Sequence, residues 1–206
     1  MKVIQSVAFF GSSKTHTRDE EFKTAREVAK IVAASGRKVV NGGGPGIMLA
    51  ATLGAKDANG ETTAVYYEPK FATTFEGKDA INLADTQYEE ENYVGRTRRL
   101  LELGDLYIIF NGGTGTISEF GMAWGLARLY FGRHKPLILF GQFWHNIINS
   151  FKKNMKITPV EFEVLRIVTE TKNVIPTIEE FEKIIKQNRS RRHPKDLNDT
   201  ESYLLL

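Results

Sequence analysis

The sequence predicts an α/β protein in which a parallel sheet is doubly wound, with helices on both of its faces. Short apolar runs typical of buried strands alternate along the chain with longer segments of helical periodicity. Glycine-rich turns follow three of these apolar runs, where ligands bind in such folds. Neither an internal repeat nor a linker divides the 206 residues, a length that fits one domain.

The predicted strands are short apolar runs, each followed by glycine or polar residues. The run before the second glycine turn is continuously apolar, as expected for a buried parallel strand. The segment 68–85 shows no firm period and is long enough to form a functional loop or lid. In chain order, the predicted strands cover residues 3–10, 38–40, 62–67, 106–110 and 137–140.

Several of the predicted helices begin at capping boxes or glycine turns, and several end at glycines. Thr17, Thr158 and Thr177 are each followed three residues later by glutamate, the spacing of a capping box. Gly36 and Gly104 stand just past the helices that they end. The predicted helices cover residues 17–36, 46–58, 93–103, 117–130 and 143–151, and two more begin near residues 158 and 177.

The composition is ordinary for a soluble domain, with 41% apolar and 26% charged residues. The absence of cysteine excludes a disulfide framework, a thiolate nucleophile and a cysteine metal site. The N-terminal apolar run is too short for a signal peptide or a membrane span, so we expect a cytoplasmic protein without a membrane partner. The four histidines lack metal-ligand spacing, and we expect no metal.

Much of the basic excess behind the net charge of +3 lies in residues 186–195. We interpret this run as a solvated tail. The alternative, an RNA-binding patch, lacks interleaved stacking aromatics, so nucleic acid is not the expected partner. The predicted organisation is a single nucleotide-binding domain over residues 1–188, followed by a basic, loosely ordered tail over residues 189–206.

Two glycine-rich turns, residues 41–46 and 111–116, carry most of the functional information. Each lies between a strand-like run and a helix-like run, which brings helix N-terminal N–H groups close to a phosphate. A third turn, residues 11–13, follows the first strand, and its serines either bind a phosphate or cap the turn. The predicted substrate-binding residues are Gly11, Ser12, Ser13, Gly43, Gly44, Gly112, Gly113, Thr114, Gly115 and Thr116.

The turns match other nucleotide motifs only in part. The dinucleotide fingerprint GxGxxG ends here in Leu49 or Ser118, and Pro45 lacks an N–H donor. Glu68 nevertheless stands near the position of a ribose-binding acid, so dinucleotide binding is a less favoured alternative. A Walker P-loop is excluded because no GK[ST] follows either turn.

A carboxylate and a guanidinium are the candidate reactive groups. Glu119 has capping-box spacing from Thr116, so it either caps its helix or faces a ligand at the helix N-terminus, and both can hold at once. Helix phase gives the helix 93–103 an apolar arc formed by Tyr93, Val94, Leu100, Leu101 and Leu103. It places Arg96 at the edge of this arc and turns Arg98 and Arg99 outward. A partly buried guanidinium needs an anionic partner. That partner is Glu119, Asp105 or a ligand phosphate.

The helix 120–130 carries apolar residues nearly all round its circumference. Such a helix is buried on both sides, either in a deep core or in a subunit interface. A homodimer meets this requirement most easily, and we expect one.

Together these motifs resemble the Lonely Guy (LOG) family, also labelled lysine decarboxylase-like. The family pattern PGGxGTxxE is matched by residues 111–119, and the initial GSS by residues 11–13. Residues 42–48 resemble the pattern GGGxxGxM, with one residue fewer before the last glycine. The resemblance covers roughly residues 3–140. It implies a Rossmann-like homodimer that hydrolyses the N-glycosidic bond of nucleoside 5′-monophosphates, such as AMP or cytokinin ribotides. The products are a free base and ribose 5-phosphate.

The family's catalytic pair maps onto Arg96 and Glu119, so the resemblance selects the arginine that helix phase also selects. Asn111 replaces the motif's proline, and Gly95 and Thr97 flank Arg96 where the family usually has glutamate and lysine. No metal or redox cofactor is implied, and no lysine stands in a setting that argues for a pyridoxal Schiff base. The alternative function is nucleotide or cofactor binding without turnover.

Overall fold

The computed structural model describes residues 2–69, 77–129 and 135–190. For residues 189 and 190 it describes the backbone alone. Seven strands form one sheet in the order β4-β3-β2-β1-β5-β6-β7, and every described pair of neighbours is parallel. The strands are β1 Ser6–Phe10, β2 Lys38–Asn41, β3 Thr62–Tyr66, β4 Thr86–Glu89, β5 Leu106–Ile109, β6 Leu137–Phe140 and β7 Leu165–Val168.

Six α-helices connect these strands and cover both faces of the sheet. The first, second and sixth pack on one face, and the third, fourth and fifth pack on the other. The helices are α1 Glu20–Ala34, α2 Ile47–Asp57, α3 Tyr93–Leu103, α4 Thr114–Leu129, α5 Phe143–Asn154 and α6 Val174–Ser190. The predicted doubly wound, Rossmann-like fold is therefore confirmed.

The central strand β1 shows why the sequence folds in this way. All five of its residues are buried, and the four that follow Ser6 are apolar, so the strand presents apolar side chains to both faces. Val7 and Phe9 belong to the core under α1, α2 and α6, whereas Ala8 and Phe10 belong to the core under α3, α4 and α5. This alternation, with a period of two residues, ties the two layers together.

The strand order reverses at β1, which pairs with β2 on one side and with β5 on the other. Connections on the two sides of this point diverge to opposite faces, and they leave a crevice beyond the carboxyl ends of the strands. The three glycine turns follow β1, β2 and β5, so the fold brings them to the same edge of the sheet.

The edge strands β4 and β7 were not predicted. All four residues of β4 are exposed, so the strand carries no apolar signal in the sequence. Its position comes from pairing with β3 and from Asp85, which accepts hydrogen bonds from the backbone N–H and the hydroxyl of Thr62.

Two predicted helix starts are wrong. Helix α1 begins at Glu20 with Asp19 at its N-cap, so Thr17 is not the cap. Helix α6 begins at Val174, and the hydroxyl of Thr177 donates to the Asn173 carbonyl from inside the first turn. The box at Thr158 is confirmed, although it opens only the short 3-10 helix Pro159–Phe162.

Several predictions fall partly or wholly outside the described residues. These are the middle of the segment 68–85, the last residue of the helix predicted to end at Tyr130, and the tail beyond Ser190. The boundary predicted at residue 188 lies within α6. Within the described ranges, no helix is both long and apolar enough to cross a membrane.

Candidate functional site

A cavity of about 690 Å³ opens beyond the carboxyl ends of the central strands. Its walls come from the ends of β1, β2 and β3 and from the first turns of α3 and α4. Of the predicted site residues, those that line it are Gly11, Ser12, Ser13, Arg96, Gly113, Thr114, Gly115, Thr116 and Glu119. Gly43, Gly44 and Gly112 are not among the lining residues.

Arg96 and Glu119 form a buried ion pair in the wall of this cavity. The Arg96 Nη1 lies 3.2 Å from the Glu119 Oε1, and the two side chains are 6% and 8% exposed. Arg96 also donates from Nε to the Val65 carbonyl at 3.1 Å and from Nη2 to the Gly42 carbonyl at 3.2 Å. The guanidinium is thereby fixed across the ends of β3 and β2, and it holds the carboxylate.

Burial raises the pKa of Glu119 to about 7, while the neighbouring Arg96 charge and hydrogen bond act in the opposite direction. Glu119 is the sixth residue of α4, and Thr116 lies inside the first turn. The capping interpretation is therefore wrong, because the helix begins earlier than predicted. Asp105 is also excluded as the arginine's partner, since it accepts from the Gln5 and Ser6 backbone.

Helix phase predicted the orientation of the three arginines of α3. Arg96 is buried, whereas the side chains of Arg98 and Arg99 are 58% and 43% exposed. The predicted apolar arc is wrong at Val94, which is 65% exposed. The buried face is instead formed by Arg96 with Thr97, Leu100 and Leu101.

The first glycine turn is bonded mainly to the protein itself. The Gly43 N–H donates to the Asn41 side chain at 2.8 Å, and the Gly43 carbonyl accepts from the Asp79 N–H at 3.0 Å. The Gly42 carbonyl accepts from Arg96, and the Gly44 carbonyl accepts from Asn82 at 2.9 Å.

Behind this turn, three buried side chains form a closed hydrogen-bonded cluster. Asn41 donates to the Thr52 hydroxyl at 2.8 Å, and that hydroxyl donates to Asn82 at 2.6 Å. The Asn82 amide donates to Asn41 at 3.3 Å as well as to the Gly44 carbonyl. The cluster fixes the turn against the segment that precedes β4.

The second glycine turn leaves its donors open. The N–H groups of Thr114, Gly115 and Thr116 belong to the first turn of α4, where no intrahelical acceptor exists. A Cβ on Gly113 would have no described atom within 4 Å, and on Gly115 only the Tyr93 hydroxyl at 3.6 Å. The chain's own packing therefore does not require glycine at these two positions, and the space beside them opens to the cavity.

Asn111, which replaces the proline of the family motif, has a structural role that proline cannot fill. Its backbone N–H donates to the Glu21 carboxylate on α1, and the Thr15 side chain also bonds that carboxylate. Burial raises the pKa of Glu21, and these two hydrogen bonds act against it. Asn111 thus joins the second turn to α1.

Sequence reasoning missed several lining residues, among them Lys14, Met48, Tyr67, Gly77 and Tyr93. The Tyr93 hydroxyl donates to the Gly115 carbonyl at 3.2 Å and ties α3 to α4. The signal available in the sequence was positional, since Tyr67 directly follows β3 and Tyr93 begins α3. Among the residues that the structure describes, no group of three or more acidic or histidine side chains is arranged to hold a metal ion.

The family model of the SLOG cluster4 family matches residues 5–165. The chain therefore belongs to the SLOG cluster4 family, and the sequence resemblance is confirmed at the level of LOG-like proteins. An uncharacterised protein of Archaeoglobus fulgidus is 27% identical over 124 residues, which cover 60% of this chain and 77% of the relative.

Solved structures with the same fold have differing described roles. The X-ray structure of TM1055 has a TM-score of 0.66 at 20% identity, covering 86% of this chain and 99% of that one. A molybdenum cofactor binding protein from Rippkaea orientalis has a TM-score of 0.61 at 22% identity, covering 87% and 97%. DNA processing protein A of Helicobacter pylori, which binds single-stranded DNA, has a TM-score of 0.57 at 19% identity, covering 85% and 80%. At these identities, the likeness shows the fold alone.

Proposed function

We propose that this protein hydrolyses the N-glycosidic bond of a nucleoside 5′-monophosphate of the AMP or cytokinin ribotide type. The observation that carries the proposal is the buried pair of Arg96 and Glu119, one helical turn beyond the open N–H groups of α4. A carboxylate buried beside an anion-binding turn suits a reaction that develops positive charge on a sugar close to a phosphate.

The reaction breaks the C1′–N bond, and the bonding electron pair leaves with the base. A water oxygen bonds to C1′ and loses a proton, and the base takes up a proton, which gives free base and ribose 5-phosphate. The transition state resembles an oxocarbenium ion, and the Glu119 carboxylate stabilises that charge and orients the attacking water. Because burial raises its pKa to about 7, the same carboxylate can accept the proton of the water.

Arg96 acts on this reaction by fixing the carboxylate. Three of its nitrogen atoms are bonded to Val65, Gly42 and Glu119, so it is held in one orientation before any ligand binds. The phosphate is held by the N–H groups of Thr114, Gly115 and Thr116 at the positive end of the α4 dipole. Ser12, Ser13 and Lys14 line the same cavity as this phosphate seat.

The direct test is incubation of the purified protein with AMP and related monophosphates, with ribose 5-phosphate as the measured product. Adenosine is the matched control, because the binding energy of the phosphate seat is realised only when a phosphate is present. We expect AMP to react far faster than adenosine, and equal rates would contradict the proposal. Arg96→Ala should lose activity, whereas Arg98→Ala, on the exposed face of the same helix, should keep most of it.

The second candidate function is binding of a nucleotide or a phosphorylated cofactor without turnover. The fold likeness to a molybdenum cofactor binding protein favours it. So does the ion pair itself, since both of its members are already satisfied within the protein. Tight binding of AMP without release of ribose 5-phosphate would support this second function over the first.

We also propose that the protein is a homodimer with α4 in its interface. The described residues leave Ile117 61% and Leu129 74% exposed, and Gly121 and Gly125 lie between them at four-residue spacing on the same exposed face. The chain mass is 23.2 kDa, so light scattering distinguishes a dimer of twice that mass from a monomer. Leu129→Glu should shift the mass to that of the monomer, and a monomeric wild type would contradict the proposal.

A further inference from the structure

Two tyrosines form an aromatic wall of the cavity to which neither the family match nor the proposed chemistry gives a role. Tyr67 directly follows β3, and Tyr93 is the first residue of α3. Their ring centroids lie 6.2 Å apart with an interplanar angle of 73°. The Tyr93 hydroxyl reaches the Gly115 carbonyl, so the aromatic wall, defined as Tyr67 and Tyr93, begins at the phosphate seat and extends toward β3.

Tyr67 lines the same cavity as the reactive pair. Burial raises the pKa of the Tyr67 phenol, and the Arg96 charge acts in the opposite direction. Met48, whose sulfur lies 3.4 Å from the Arg96 Nη2, lines the cavity, and so does Gly77. The lining of the cavity therefore combines the first turn of α4 and hydroxyl groups with aromatic and thioether surface and with the ion pair.

We infer that Tyr67 is the specificity-determining residue for a planar heteroaromatic base, and that the cavity takes ligands in which such a ring is joined to a sugar phosphate. This inference rests on the proposed function. It concerns the base of the substrate, which the phosphate seat does not contact. Flat π surfaces and a polarisable thioether stack on nucleobases without requiring a particular hydrogen-bonding edge. The ring then lies on the aromatic wall, and the sugar lies at Glu119.

The adjacent residue provides a matched control. Tyr66 is the last residue of β3, and alternation along a strand turns neighbouring side chains to opposite sides. The Lys78 ammonium lies 4.6 Å from the centre of the Tyr66 ring, and the Tyr66 Cβ would be 3.4 Å from a Cβ on Gly43. Tyr66 does not line the cavity. The two tyrosines are thus identical and adjacent in sequence, but only Tyr67 lines the cavity.

The experiment measures the affinity of two probes by calorimetry. One is ribose 5-phosphate, which has no base. The other is the carbocyclic analogue of AMP, which has a methylene in place of the ribose ring oxygen and cannot form an oxocarbenium ion. Tyr67→Leu should weaken the AMP analogue about ten- to a hundredfold, the usual range for loss of a base–aromatic stack. Ribose 5-phosphate affinity should stay within about twofold.

Tyr67→Phe keeps the ring and should retain the wild-type affinity for the analogue, as should Tyr66→Leu. The inference is overturned if Tyr67→Leu weakens both probes equally, if Tyr66→Leu has the same effect, or if the wild type binds the two probes equally. Because neither probe is turned over, these outcomes are independent of hydrolysis. An active enzyme whose wild type shows no preference for the base refutes the inference alone, and an inactive protein that binds as described refutes only the proposed reaction.

Discussion

The two long glycine turns look alike in sequence but are used differently in the folded chain. In residues 42–46, the polar groups of Gly42, Gly43 and Gly44 bond to Arg96, Asn41, Asp79 and Asn82. In residues 112–116, the N–H groups of Thr114, Gly115 and Thr116 have no acceptor inside their helix, and all three residues line the cavity. One turn builds the wall that holds the arginine, and the other is open to a ligand.

This difference shows that a glycine motif does not by itself identify an anion site. A Cβ on Gly42 would lie 1.6 Å from the Arg96 Nη2, so this glycine is required for the arginine to reach its place. A Cβ on Gly113 would meet nothing within 4 Å among the described residues. Glycine in the first turn serves packing, whereas Gly113 and Gly115 in the second turn leave room beside the N–H donors.

The largest effect on kcat is expected from Glu119→Gln. This variant tests whether the site at the second glycine turn catalyses a reaction or only binds a ligand. The substitution keeps size and an acceptor for Arg96 but removes the negative charge. If that charge stabilises an oxocarbenium-like centre, about 3 kcal/mol or more is lost, and kcat falls at least about a hundredfold. The measurement is kcat together with the affinity for the carbocyclic AMP analogue, which should change little. Normal turnover in this variant would remove the catalytic role of Glu119.

The first turn can be tested through Gly46→Ala. Gly46 has a φ of 66° and a ψ of −129°, a conformation nearly restricted to glycine, and an added Cβ would lie 2.2 Å from the Ser12 carbonyl oxygen. Strain and overpacking together should lower the free energy of unfolding by about 3 kcal/mol or more. Chemical denaturation measures this loss. A stable Gly46→Ala protein would contradict the structural role of the first turn.

The fold was predictable because its central strands and main helices have strong apolar periods. The buried orientation of Arg96 also followed from helix phase, since α3 has one clear apolar face. The edge strand β4 was not predictable, because its four exposed residues carry no period and long-range pairing with β3 places them. The start of α6 was missed because a capping box at Thr177 outweighed Pro176, which fits within a first helical turn.

The site could be predicted only as far as local motifs reach. Turns that follow adjacent parallel strands meet at one edge, so the grouping of the three glycine turns followed from the fold class. Which backbone groups stay open depends on partners distant in sequence, such as Asn82 for Gly44 and Glu21 for Asn111. The aromatic wall likewise depends on an encounter between the end of β3 and the start of α3, which no local pattern marks.

The contrast between the turns becomes sharper with Gly115→Ala and its control, Gly121→Ala. Both glycines lie in α4, neither has a positive φ, and an added Cβ has room at both. Alanine should therefore maintain or raise the free energy of unfolding in each, by up to about 1 kcal/mol. Only Gly115 lines the cavity, so Gly115→Ala should weaken ribose 5-phosphate and the AMP analogue alike, by about tenfold.

The measurements for this pair are calorimetry for affinity, denaturation for stability and light scattering for any effect of Gly121 on assembly. Equal affinities in the two variants and in the wild type would mean that the phosphate does not lie at the start of α4. If Gly121→Ala also lost affinity, the added methyl group would act indirectly through a change in α4, and not directly at the phosphate seat.

The smallest expected effect is a pH dependence of kcat that comes from the burial of Glu119 and that Arg96, held by the first turn, opposes in part. Burial raises the pKa of Glu119 to about 7, and the stabilising species is the charged carboxylate. Hence kcat should rise about tenfold between pH 6 and pH 8, following the ionised fraction. Lys14, Tyr67, Tyr93 and Arg96 line the same cavity. A substrate phosphate titrates near pH 6. An inflection there, and not near 7, would assign the dependence to the substrate.

Stability should depend on pH in the opposite sense, and the sign follows from linkage. The pKa of Glu119 is higher in the folded chain than the ordinary value of 4.5, so the folded state binds more protons between pH 4.5 and about 7. The contribution of this group to the free energy of unfolding is therefore greatest below pH 4.5 and is lost as the pH rises through 7. Glu119→Gln removes this titration. The difference in melting temperature between variant and wild type should shift in favour of the variant from pH 5 to pH 8, with Arg98→Ala as a control that lacks the shift. A constant difference across that interval would mean that Glu119 keeps one charge state throughout, and the rise of kcat would then need another origin.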